Sequence, residues 1–203
     1  MRTGRSAMPS TTMSGSRVTR WRTVDIVVAA VLGVAFGVVF WAWNLLGAIL
    51  VPGLFPPLAA ILNGVFLMPG VVAALVIRKP GAAVFASTLA AAVSLLLGSP
   101  FGGIILIYGF VQGLGAELGF ALTRYRRFGL AAALLAAAMA GLATSILDLS
   151  LYYRAWPLTW MSSYLGLTVL SSLLLAGVGG WLLVRSLATS GALSSFRVGQ
   201  RRL

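Results

Sequence analysis

Long apolar stretches alternate with short polar or Pro/Gly-rich breaks along the whole chain. Six stretches stand out, over about 24–46, 57–77, 81–97, 101–123, 128–152 and 159–185. None alternates polar and apolar positions as a barrel strand does, so the pattern predicts helices. At about 1.5 Å per residue each crosses, or nearly crosses, a hydrocarbon core of about 30 Å. The stretch at 81–97 is the shortest and calls for a steep path or a locally thin region. "VPGLFPP" (51–57) and "GSPFGG" (98–103) are uncharged turns, "RKPG" (78–81) and "RYRRFG" (124–129) are basic, and "YYRAWP" (152–157) is aromatic. Pro80 sits near a helix start, where its missing N–H costs little.

Charge orients the bundle. With the N-terminus inside, fourteen of the fifteen Lys and Arg residues fall on the inner side and Arg154 alone falls outside. That bias predicts six spans with both termini cytoplasmic. The fold expected is an all-α integral membrane protein. A flexible basic arm over 1–22 precedes a membrane domain over 23–190, and a basic tail follows over 191–203. The acid-free, Ser- and Arg-rich arm also has the composition of a targeting peptide. A cleaved secretory signal is not expected, because the apolar run that follows is too long. No internal repeat supports an inverted-repeat transporter.

Composition narrows the chemistry. Of 203 residues 60% are hydrophobic, and the mean hydropathy is +1.00, which no soluble domain of this length sustains. The net charge of +12 lies in short arginine clusters between apolar runs, so it encodes topology rather than nucleic-acid binding. There is no Cys and no His, which removes disulfides, thiol nucleophiles and histidine-based metal or catalytic sites. No metal and no cofactor is expected.

Polar residues inside the apolar runs are the candidate chemistry, since carboxylates at membrane depth are costly and usually face a partner or a cavity. Asp25 lies at the cytoplasmic mouth of the first helix and is expected to pair or cap there. Asp148 lies about one turn below the outer surface. Trp41, Trp43, Asn44, Asn63, Tyr108, Tyr152, Trp160 and Tyr164 reach the same outer layer, with Gln112 near mid-depth below Tyr108. An aromatic belt explains the Trp and Tyr residues taken singly. It does not explain Asn44, Asn63, Gln112 and Asp148, whereas a pocket open to the outside explains all of them. Glu117, in the inner third, is about 140° round the helix from Gln112. It is either a structural hydrogen-bonding group or a second ligand carboxylate. Gly113, Gly115 and Gly119 permit close approach of a helix or a ligand and form no dinucleotide fingerprint. On the first helix Ala29, Gly33 and Gly37 make a flat stripe, open to internal packing or to docking of a partner helix.

The motifs "IRKPGAA" (77–83), "LLGSP" (96–100), "VQGLGAE" (111–117) and "LDL" (147–149), in this order and spacing, resemble those of substrate-binding S components of energy-coupling factor (ECF) transporters. The likeness is to the YkoE-type thiamine/hydroxymethylpyrimidine family and covers about residues 24–195. The resemblance implies a six-helix S component with its substrate site near the extracellular side. It implies thiamine or hydroxymethylpyrimidine as ligand, and a transmembrane T component with two ATP-binding-cassette ATPases as partners. It also implies docking through small residues of the first helix, for which Ala29, Gly33 and Gly37 are the candidates. The chain has no phosphate-binding loop and so needs an external motor.

The substrate-facing candidates are Asp148 first, Gln112 as a contact from the pocket floor, and Glu117 as the second carboxylate. Asn63, Asn44, Trp41, Tyr108, Tyr152, Trp160 and Tyr164 complete the set. Two other classes were weighed against a vitamin-binding subunit for thiamine or another small vitamin. An intramembrane enzyme pairing Glu117 with Asp148 lacks a nucleophile or metal set and has its carboxylates at different levels. A stand-alone channel or facilitator lacks a continuous polar stripe through the cytoplasmic half.

Overall fold

The computed structural model describes residues 20–190. The basic tail, and the arm apart from Arg20, Trp21 and Arg22, lie outside the described residues. Every regular element among those described is helical. Five helices are long and apolar enough to cross a membrane: Thr23–Gly53, Pro56–Ile77, Ile104–Leu122, Leu130–Leu151 and Leu158–Thr189. They are called here the first, second, fourth, fifth and sixth spans. The third, Ala82–Leu96, has 15 residues, about 22 Å at the α-helical rise.

The first span runs beyond its sequence estimate, and the second departs from regular helix. The first stays α-helical to Leu50, because Leu45–Leu50 is apolar beyond Asn44, and the turn Val51–Gly53 at Pro52 ends it. The second is not one regular helix. Pro56 and Pro57 open a 3-10 stretch, Pro56–Leu62, followed by a short α-turn, Asn63–Phe66, and then the helix Met68–Ile77. Pro69 at the start of that helix lacks the N–H that would carry hydrogen bonding back across Leu67. The sixth span contains a π-helical segment, Ser172–Gly179, between its α-helical ends.

Val71 through Ile77 are all buried, so the inner half of the second span forms the centre of the bundle. An apolar-all-round helix with no solvent face belongs there. Around it the spans close on small residues. A side chain at Gly113 would lie 2.7 Å from the Val84 backbone, and at Gly119 it would lie 2.3 Å from that of Ala136. These contacts press the fourth span onto the third and the fifth. Without a hydrophobic drive between helices in lipid, such close approach is what holds a bundle.

The same arithmetic corrects the docking expectation for the first span. Ala29, Gly33 and Gly37 are buried, and a Cβ at Gly33 would lie 2.9 Å from Leu89, at Gly37 2.5 Å from Val93. The stripe is consumed by packing on the third span within the subunit. The exposed face of the first span is instead valine-rich, carrying Val27, Val31, Val34 and Val38.

Candidate functional site

Near one end of the bundle all six helical segments, the third through Ala91, enclose a cavity of about 750 Å³. That is a volume suited to a small organic ligand. Its mouth is edged by Val51, Pro52, Pro100, Phe101, Tyr152 and Tyr153 from the connecting loops and helix ends.

Asp148 is the one carboxylate in the lining. It lies one turn before the end of the fifth span, and its two oxygens are held separately. Tyr108 Oη donates to Oδ1 at 2.6 Å. Tyr164 Oη donates to Oδ2 at 2.8 Å, and Asn63 Nδ2 approaches the same oxygen at 3.5 Å. Asn63 also donates to Tyr164 Oη at 2.9 Å, so the tyrosine relays an amide donor to the carboxylate. Four spans thus meet at one buried charge. The break in the second span makes this possible by placing Asn63 at the start of a new helical turn.

Aromatic rings flank the cluster. Tyr153 stacks on Trp156, with centroids 4.0 Å apart and 21° between planes, and tilts against Tyr164 at 5.1 Å. Burial, with the Asp148 charge behind it, holds the Tyr153 phenol above its ordinary pKa. Trp43 lines the cavity and donates from Nε1 to the Leu62 carbonyl at 2.9 Å. Asn44 lines it too, and donates to Ser99 Oγ at 3.2 Å and Ser94 Oγ at 3.4 Å.

The structure therefore brings Asp148, Tyr108, Tyr164, Asn63, Asn44, Gln112 and Tyr152 to one cavity. Three expected residues lie elsewhere. Trp41 is about 200° from Trp43 on the helix and outside the lining. Trp160 stands outside the lining, edge-on to Trp156 and Phe55. Glu117 is at the opposite end.

The ECF-type reading can now be set beside known proteins. The family described as "ABC-type cobalt transport system, permease component" matches residues 24–143. A Bacillus subtilis (strain 168) protein, YkoE, whose name describes it as an HMP/thiamine permease, is 36% identical over 182 residues. The match covers 89% of this chain and 91% of that one. A crystal structure of an S-component of an ECF transporter superposes with a TM-score of 0.86 at 34% identity. That likeness covers 89% of this chain and 92% of the other. The chain is an ECF transporter S component. It is a multi-pass membrane transport subunit of the YkoE type.

At the other end of this S component Glu117 is a structural staple. Its carboxylate accepts from Gly81 N at 2.7 Å, Ala83 N at 3.0 Å and Tyr125 Oη at 2.6 Å. Two of these donors are the free amides that open the third span, where a negative group is favoured. Burial, with Glu117 beside it, holds the Tyr125 phenol above its ordinary pKa. Gly81, at φ +87°, takes the left-handed turn that aims its N–H at the carboxylate. Asp25 is spent at the same turn: Lys79 Nζ lies 2.5 Å from its Oδ2, and Arg22 N donates to that oxygen at 2.6 Å.

Sequence reasoning left Tyr153, Thr144, Phe40, Phe66 and Phe101 out of the S component's lining, where they belong. Thr144 carried a usable signal, lying four residues before Asp148 and so on the same face. The phenylalanines carried none, because an apolar residue reads the same whether it faces lipid, core or cavity.

Proposed function

We propose that this S component captures thiamine, or its hydroxymethylpyrimidine moiety, from outside the cell for uptake driven by ATP in partner subunits. The observation that carries the reading is the buried Asp148 carboxylate beneath the Tyr153, Tyr164 and Trp156 rings. A cationic thiazolium is attracted by the carboxylate and by aromatic faces, the latter by roughly 0.5–2 kcal/mol each. Among the described residues no Lys or Arg is in the lining to oppose it. The donor set suits an organic ligand rather than a transition-metal cargo, because the chain has no His or Cys and the cavity holds a single carboxylate. The HMP/thiamine permease name of the 36% identical relative agrees.

In this reading six spans cross the membrane with both termini cytoplasmic, as the arginine distribution supports. The Asp148 cavity then faces out. A transmembrane T component and two ATPases supply the motor. The docking surface on this chain is an exposed helix face, since the stripe of Ala29, Gly33 and Gly37 is occupied.

Titrating the purified protein with thiamine while following tryptophan emission tests the ligand. Trp43 lines the cavity and Trp156 stacks on one of its walls, so binding should give a saturable change. A response to another vitamin but to neither thiamine nor hydroxymethylpyrimidine would replace the substrate.

A further inference from the structure

Gln112 differs from the other buried polar side chains of the cavity. Asn44, Gln112, Thr144, Asp148 and Tyr164 are each exposed by 8% or less. Asn44 gives its amide hydrogens to serine hydroxyls, and Thr144 donates to the Ala140 carbonyl at 2.9 Å. Asp148 and Tyr164 are bonded to each other at 2.8 Å. The Gln112 amide, 6% exposed and facing the cavity, hydrogen bonds to no described residue. The amide lines the cavity without a protein partner among the described residues, so its partner is to be sought in what fills the cavity.

Position says which part of a ligand it meets. Gln112 follows Tyr108 by four residues on the fourth span, and Thr144 precedes Asp148 by four on the fifth. Gln112 and Thr144 therefore form a layer about 6 Å further from the mouth than the carboxylate cluster. A two-ring ligand whose cation rests at Asp148 places its other ring at Gln112. This rests on the reading given under Proposed function.

We infer that Gln112 reads the nitrogen-bearing edge of the inner ring, and that it reads it without fixing which atom donates. A primary amide offers one donor and one acceptor side by side, complementary to a ring nitrogen beside an amino group. Rotating the amide by 180° exchanges the two and suits a ring N–H beside an oxo group equally well. A protein hydrogen bond to the amide would forbid one of the orientations. None is present, and the neighbouring donors of Asn44, Asn63 and Thr144 are committed elsewhere. Selection in this site is therefore by charge and shape, and the amino and oxo forms of the inner ring are accepted alike.

The test is calorimetric titration of the full chain with thiamine and with the analogue whose ring amino group is replaced by oxo. The two dissociation constants should agree within about tenfold. Gln112→Met, nearly equal in length and without polar atoms, should weaken both by about tenfold or more and leave their ratio unchanged. Gln112→Ala, with thermal melting of both variants, separates lost contact from lost fold. Rejection of the oxo analogue by a hundredfold or more, with thiamine still bound, overturns the inference alone. So does wild-type affinity for both ligands in a folded Gln112 variant. A folded wild type that binds neither thiamine nor hydroxymethylpyrimidine overturns the proposed substrate, and this inference with it.

Discussion

Three polar side chains from three other spans surround the Asp148 carboxylate, Tyr108, Tyr164 and Asn63. Asp148→Asn preserves the shape and removes the charge. It should weaken binding of cationic thiamine by on the order of 2–5 kcal/mol, as for other desolvated charge pairs. Binding of the neutral pyrimidine alcohol should change much less. Equal losses for both ligands, measured by fluorescence or calorimetry, would mean that Asp148 contacts the pyrimidine instead. That Asp148 faces a cavity was legible in the sequence because a carboxylate in an apolar run advertises itself. Glu117 advertises itself in the same way, yet two of its three donors are the backbone N–H groups of Gly81 and Ala83, which leave no mark in a sequence. Trp41 was the candidate and Trp43 only its neighbour in the same layer, yet the azimuth of the first helix sends Trp43 to the cavity and Trp41 away from it.

The helices themselves were more readable than their faces. Apolar length, proline-glycine turns and arginine clusters marked out six helical segments, five of them long and apolar enough to cross a membrane, although the first runs on past its estimate to Leu50. What the pattern did not contain was the partner of each small-residue stripe, because Gly and Ala suit a neighbour inside the subunit as well as one outside it. Packing decides the case of Gly37, where a Cβ would lie 2.5 Å from Val93 and 2.9 Å from the Ala90 carbonyl. Gly37→Leu should destabilise the isolated subunit by roughly 1–3 kcal/mol or more, as overpacking does. Gly166, with nothing within 4 Å of its Cβ position, is the control. Gly166→Leu should melt within about 0.5 kcal/mol of wild type. A Gly37→Leu subunit that melts normally but fails to co-purify with a T component would return the stripe to docking. The π-helical segment Ser172–Gly179 was equally silent, since five-residue and four-residue hydrogen bonding use the same apolar letters.

The whole molecule has a cavity near one end and a hydrogen-bonded basic turn at the other, joined by the buried second span. On the reading proposed above, this subunit holds ligand and its partners drive the movement. In liposomes containing this protein alone, labelled thiamine should bind but not accumulate. Addition of a T component, ATPases and ATP should start uptake, and accumulation without them would make the protein a facilitator. The basic turn also has a history in time. Trp21 Nε1 donates to the Pro80 carbonyl and Lys79 meets Asp25, so its first contacts can form once residue 80 has left the ribosome. The amides of Gly81 and Ala83 then wait for Glu117, 36 and 34 residues later, and Glu117 waits for Tyr125. Until Glu117 is made, the third helix lacks the carboxylate that accepts from its first amides in the folded chain, so its fastening is a late event of synthesis.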